Sequence, residues 1–271
     1  MNRRLVTCAL VCGMLATPAS AIELLMNGDF EQTVPGNAPT GWTLFQQAGS
    51  IGQFYTDAPG SELPSFDPGF RLDMPDNNLS GGGGRTYAVS APFSITDNSV
   101  GAGTHVLSQT FSLPGNATSL RLRYQFFAID LGNLGDLEQP SGLDYTTGGT
   151  FDPNDTATFN QLARIEVLRG GASPFSTNAA DIVTSSTQSF KGVQTRNQEW
   201  EQRDIDLTGN LQFGQNYTVR FAVVSNGAPV ILGVDNVSLD FIGRVIIPEA
   251  GTGWLALIPG AVLLIRRRLR V

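Results

Sequence analysis

The residues able to do chemistry are few and unevenly placed. His105 is the one histidine, Cys8 and Cys12 are the two cysteines, and Lys191 is the one lysine among 271 residues. A zinc site of His and Cys ligands cannot be assembled from these, and a thiol–imidazole couple would need cysteines that lie inside the leader described below. The chain has no Gly-x-Ser-x-Gly elbow, phosphate loop or His-Glu-x-x-His, and His105 reads as structural or surface. The carboxylates are denser. Asp130, Asp136, Glu138, Asp144, Asp152 and Asp155 crowd one connection, with no basic residue between Arg123 and Arg164. That run is open to three readings: a solvated loop, a second calcium site, or a pair of acids for glycosidic hydrolysis, which must fold to about 5–10 Å apart. An EF-hand is excluded, because a frame starting at Asp130 puts Leu134 and Ser141 at ligand positions.

Aromatic residues offer a different chemistry, since a pyranose ring stacks its C–H groups on an exposed aromatic face. Trp200, in Glu199-Trp200-Glu201-Gln202-Arg203, is flanked by charge and is the first platform candidate, expected to be partly exposed. Tyr55, Phe66 and Phe70 lie around the Gly- and Pro-rich stretch from Asp57 to Arg85 and form a second candidate ligand rim. Trp42, which follows Gly41, reads as core.

The elements that must position these residues are strands. Charged residues make up only 15% of the chain and 31 residues are glycine, which disfavours solvated helices. Leu120-Arg121-Leu122-Arg123-Tyr124-Gln125-Phe126 alternates apolar and polar, predicting one buried and one wet face. Tyr217 to Val223 and Val237 to Phe241 repeat the pattern, and further strands are expected at 106–113, 163–168, 205–207 and 70–74. Turn clusters such as Pro114-Gly115-Asn116, Gly170-Gly171 and Gly209-Asn210 separate them. Many short strands with regular punctuation predict an all-β antiparallel sandwich, and the absence of an internal repeat argues against solenoids and propellers.

Both ends read as addresses. Residues 1–21 combine Arg3-Arg4, an apolar run from Leu5 to Ala16 and a terminal Ala19-Ser20-Ala21, the three parts of a secretory signal peptide. The β-sandwich domain is assigned to residues 22–246. From 247 the chain reads Ile247-Pro248-Glu249-Ala250-Gly251, then an apolar stretch ending at Ile265, then Arg266-Arg267-Arg268-Leu269-Arg270. The fourteen residues from Thr252 to Ile265 span only about 21 Å as a helix, short of a hydrocarbon core of about 30 Å. The arginines would hold that end on the cytoplasmic side. This order resembles the PEP-CTERM sorting signal of Gram-negative bacteria that make extracellular polysaccharide, with Ala250 standing where the family has a second proline. The resemblance implies a short transmembrane helix, export across the inner membrane through the Sec translocon, and processing by an exosortase that reads Pro248 and Glu249. An ordinary single-span anchor is the competing reading of the tail. Without the two ends, six arginines and Glu249 are gone and 11 basic residues face 23 acidic ones, a net charge near −12. Such a surface excludes nucleic acid as a partner and suits hard cations.

The body carries a second resemblance. An opening Asn27-Gly28-Asp29-Phe30-Glu31, a Gly41-Trp42 soon after and a closing Asp235-Asn236-Val237-Ser238-Leu239 are together similar to the galactose-binding-like jelly roll of carbohydrate-binding modules. That implies a sandwich in preference to an immunoglobulin-like one, and a structural calcium (Ca2+) on Glu31 and Asp235; in the alternative reading both are ordinary carboxylates. The function expected is an exported, non-catalytic protein of the cell surface or of an extracellular polysaccharide (biofilm) matrix, with polysaccharide as its expected ligand. A secreted glycan-active hydrolase using the acidic connection, and a membrane-tethered structural protein without carbohydrate affinity, are the alternatives.

Overall fold

The computed structural model describes residues 21–57, 86–91, 101–130, 142–147, 160–189, 200–226 and 230–245. Every regular element among them is a strand: β1 (Ile22–Glu23), β2 (Thr43–Gln46), β3 (Gln53–Asp57), β4 (Tyr87–Ala91), β5 (Gly103–Ser112), β6 (Gly115–Asp130), β7 (Leu162–Arg169), β8 (Ile182–Ser189), β9 (Glu201–Asp206), β10 (Asn216–Ser225) and β11 (Val230–Val245). All the ladders are antiparallel. One sheet has the order β3-β4-β11-β6-β9, with β1 added to β11, and the other the order β2-β5-β10-β7-β8. The late strands β10 and β11 insert between early ones in both sheets, the nested order of a jelly roll. The all-β sandwich expected from the alternation is the observed fold.

The core lies between the sheets and is built from the alternate positions the sequence marks as apolar. Leu120, Leu122, Tyr124 and Phe126 of β6 face Val219, Phe221 and Val223 of β10, with Leu239 and Phe241 of β11 and Ile165 and Val167 of β7 around them. Each fully buried Leu or Phe contributes about 1.5–3 kcal/mol relative to exposure. Phe221 is the centre of an aromatic bridge, edge-on to Tyr124 at 5.7 Å and tilted against Trp42 at 5.9 Å. Trp42 is thus core, as its Gly-Trp setting suggests.

His105 also joins the layers. Its side chain is 1% exposed; Nε2–H donates to the Ile51 carbonyl at 3.0 Å and Nδ1 accepts from the Ser90 hydroxyl at 3.1 Å. Burial lowers its pKa to about 4, against the Ile51 hydrogen bond, so the ring is neutral at pH 7. The histidine is structural.

Two expectations need correction. The polar face of β10 is not wet, because Arg220 is fully buried. Strands β1, β2, β3, β4 and β8 are not among the expected ones, since β1 is only two residues long and the others do not alternate cleanly; the strand expected at 70–74 lies outside the described residues.

Candidate functional site

Three motifs far apart in the chain meet at one seam. After β1, Leu24 N–H donates to Leu239 O at 3.1 Å, and Glu23 Oε1 accepts from both Leu25 and Leu239 N–H at 2.8 Å. The chain then leaves β11, whose register shifts between Asp235 and Ser238 with Asn236 at φ 50°. Val237 N–H reaches across to Gly28 O at 2.9 Å, and a Cβ on Gly28 would overlap the Val237 carbonyl, so this position needs glycine. Asn27 (φ 49°) donates through Nδ2 to Thr40 O at 2.7 Å and accepts Gln32 N–H at 3.1 Å. Trp42 Nε1–H closes the set on Asn27 O at 3.1 Å. Phe30 (φ 55°) is driven into the core against Trp42, with ring centroids 5.5 Å apart. The three described non-glycine residues with positive φ are therefore all at this seam. Beside it lies a cleft of about 450 Å³ lined by Glu23, Leu25, Asn27, Asp29, Gln32 and Asn236, among others.

Glu31 follows Phe30 and Asp235 precedes Asn236, so each is next in the chain to a residue of this seam. Glu31 Oε1 accepts Thr86 N–H at 3.0 Å. Thr86 immediately precedes β4, which pairs with β11. Asp235 is buried and accepts from Asn236 through its backbone N–H at 2.7 Å and its amide at 3.1 Å. A hard cation takes six to eight oxygens, of which Glu31 and Asp235 would supply only the carboxylate part, the rest having to come from backbone or water. Among the described residues no group of three or more His, Cys, Asp or Glu side chains is placed to hold a metal.

The outer face of the first sheet gathers Tyr55, Trp200 and Asp235. By register, Tyr55, Val89, Gly233 and Phe127 form one cross-strand row, and Trp200 immediately precedes Glu201, the partner of Phe126. Next to it Asp57 pairs with Tyr87, and Asp235 with Gln125. Trp200 packs edge-on to Phe127 at 4.8 Å and to Tyr87 at 5.4 Å, and the Phe127 ring occupies the space a Cβ on Gly233 would need. The expected exposure is corrected here: Trp200 is 6% and Tyr55 4% exposed, so neither presents a ring face to solvent. Burial, and then the charge of Asp57, pushes the Tyr55 phenol well above its ordinary range. Phe66 and Phe70 lie outside the described residues, as do Pro248, Glu249, Ala250, Arg266, Arg267 and Arg268.

Farther along this face a charged ladder stands in water. Arg121 Nη1 donates to Asp204 at 3.0 Å, and Arg123 bridges Asp204 at 3.2 Å and Asp240 at 2.6 Å. The modest burial of Asp204 raises its pKa, but the two guanidinium partners outweigh that and hold it below the usual carboxylate range.

Sequence reasoning missed the outer face of the second sheet. One row runs Thr43, Ser108, Arg220, Glu166, Ser185; the next runs Phe45, Val106, Ala222, Arg164. Two segments lie over this face. Residues 142–147 place Leu143 and Tyr145 on Val106, Leu162, Ala222 and Val224. They are tied down by Asn160 to Gly142 O (3.1 Å) and Asp144 O (2.9 Å), by Asn226 to Thr147 O (2.9 Å), and by Tyr145 O–H to Ala48 O (2.9 Å). Gln47, then Thr146, hydrogen-bonds Asp144 and lowers its pKa, so this member of the acidic connection is a structural carboxylate.

The second covering segment follows the Gly170-Gly171 turn and brings Phe175 onto the same cluster. Buried Arg220 holds it, donating to Pro174 O and Ser176 O, both at 2.6 Å, while its Nε meets Glu166 Oε2 at 2.8 Å and its Nη2 also reaches that oxygen. Glu166 Oε1 takes Arg164 (2.5 Å to Nη2) and Ser185 (2.9 Å). Burial alone would raise the Glu166 pKa, but Arg164 and Arg220 outweigh it and the carboxylate stays ionised. Phe45, 36% exposed, is the ring of this face that reaches solvent most, with Tyr145 and Phe175 half-buried. The signal for this site was the complementary pair Glu166 and Arg220, opposite charges at alternate positions of two largely apolar strands.

No protein-family model and no curated protein matches the chain. Solved structures of similar fold include a Stig cyclase from Fischerella sp. TAU, 14% identical over 82% of this chain and 98% of that one, with a TM-score of 0.44. Another is TmCBM61 in complex with β-1,4-galactotriose, at 13% identity, 82% and 99% coverage and a TM-score of 0.40. The K1 cleaved adhesin domain of Lys-gingipain from Porphyromonas gingivalis W83 matches at 12%, with 83% and 99% coverage and a TM-score of 0.40. Likeness at this level transfers no residue role and no ligand to the chain.

Proposed function

We propose that this is an exported, non-catalytic protein that holds polysaccharide at the cell surface or in the extracellular matrix. The observation that carries the reading is the outer face of the second sheet: Phe45 open to solvent, Tyr145 and Phe175 half-buried on the same face, and the exposed Thr43 in the neighbouring row. Rings supply stacking surface and hydroxyls supply hydrogen bonds, and both are held by rigid strands and tied-down segments. Three titratable groups that could do chemistry are engaged in structure: Glu166 with arginines, Asp144 with Gln47, His105 with Ser90 and Ile51. That favours binding over turnover.

A glycan array on the full chain, carried in detergent, tests the reading. Retention of at least one polysaccharide class, weakened about tenfold by Phe45→Ala, is expected; no retention of any glycan would leave the membrane-tethered structural protein as the better account. Delivery in this proposal uses the leader at 1–21 and exosortase processing at Pro248 and Glu249. Mass spectrometry of extracellular material should show a terminus upstream of Arg266, and an intact Arg270-Val271 end would overturn processing.

Calcium on Glu31 and Asp235 belongs to the same proposal. Bound there, it would neutralise two carboxylates and tie the first loop to the last strand. A melting temperature unchanged by chelator would remove it.

A further inference from the structure

From the arrangement of Arg164 on the second sheet's outer face, we infer that the polysaccharide held there is anionic, built of uronic acid units. The inference rests on the reading of that face as the binding surface. Phe45 and Arg164 lie in one cross-strand row, separated by Val106 and Ala222. Three strand spacings put them about 14 Å apart, roughly the length of two to three sugar units. Between an aromatic ring at one end and a cation at the other, the fully buried Val106 and Ala222 are covered by Leu143 and the half-buried rings of Tyr145 and Phe175.

The charge balance between this row and its neighbour favours an anion at the Arg164 end. Glu166 is shared by two guanidinium groups, and its oxygens are fully subscribed: Oε2 by Arg220, Oε1 by Arg164 and Ser185. A second acid, Asp181, acts on Arg220 and is bonded to Ser176 at 2.6 Å, so its charge falls on the Arg220 side. Arg220 spends its donors on Glu166, Pro174 O and Ser176 O. Arg164 does not: Nε and Nη2 go to Glu166, and Nη1 makes no hydrogen bond among the described residues. Its side chain is 15% exposed, enough to be reached and buried enough to be weakly screened. A guanidinium fixed in orientation by one carboxylate and holding a spare N–H donor is suited to a second carboxylate. In a body of net charge near −12, general attraction would favour neutral or cationic ligands. Selectivity for an acid must therefore come from this local cation.

The test compares oligogalacturonate with a neutral oligogalactoside of equal length, titrated into the full chain. The expected result is preference for the acidic oligomer, at least fivefold loss of that affinity in Arg164→Gln, partial recovery in Arg164→Lys, and weakening of the acidic ligand alone as salt rises. In the Gln variant Glu166 keeps Arg220 and Ser185, and an unchanged melting temperature certifies its fold. Equal affinity for both oligomers, or an Arg164→Gln variant that keeps the preference, overturns the anionic inference while leaving the binding face standing. Failure of both oligomers together with an empty glycan array removes the binding face itself.

Discussion

On β6 and β9 the polar positions of an alternating strand carry Arg121, Arg123 and Asp204, and all three stand partly in water. On β10 and β7 the equivalent positions carry Arg220 and Glu166, and both are sealed beneath the segment that follows β7. Similar residue types on similar strands thus reach opposite environments. Alternation decides which side chains leave the core; the connections passing overhead decide whether those side chains meet solvent. Exposed pairs gain little, because water and salt already serve both partners. A buried pair commits the fold, since either charge left alone keeps its desolvation cost.

Measurements can break or refine that contrast, beginning with the largest expected effect. Glu166→Ala leaves buried Arg220 without its carboxylate and should cost about 3–5 kcal/mol in chemical denaturation; a loss below 1 kcal/mol would put the pair in the same class as the exposed ladder. Acid acts next, on the layer between the two faces. His105 has a folded pKa near 4 against roughly 6.5 when unfolded. Its contribution is complete above about pH 6.5 and is lost as pH falls through about 4, because only the unfolded ring takes the proton in that window. The shift corresponds to at most roughly 3 kcal/mol. A His105→Gln variant should lose that part of the pH dependence, and an unaltered profile would assign the acid sensitivity to carboxylates.

A smaller loss is expected on the first sheet. Gly233→Ala must push aside the Phe127 ring that carries Trp200, at a cost of about 1–3 kcal/mol, read as a lowered melting temperature and changed tryptophan emission; unchanged emission would mean the ring has room. The smallest effect is Asp204→Asn, expected within about 0.5 kcal/mol. A larger loss there would make the exposed ladder a stabilising network and erase the difference between the faces.

Much of the fold was readable in residue order. Leu120 to Phe126 and Tyr217 to Val223 announce half-buried strands, and the Asn27-Gly28, Gly41-Trp42 and Asp235-Asn236 motifs do converge on one seam. The outer faces of the sheets were harder to read for a physical reason. Successive strand residues point to opposite sides, so the charge of Glu201 next to Trp200 says nothing about the tryptophan's own surroundings. Phe45 was hidden by the opposite effect: in Thr43-Leu44-Phe45-Gln46 the larger hydrophobe points outward and the smaller one inward. Covering of Arg220 depends on where a distant loop lands, which no local pattern encodes.

The position of β11 has a mechanical consequence. It is paired along its length with β6, from Val230 opposite Asp130 to Val245 opposite Gly115, and on its other edge with β4 and β1. Tension applied to the chain beyond Val245 would pull this strand along its own axis, loading both ladders in shear so that many hydrogen bonds resist together. A peripheral terminal strand would unzip one bond at a time. The sandwich is thus strongest along the direction in which a tether at that end would strain it.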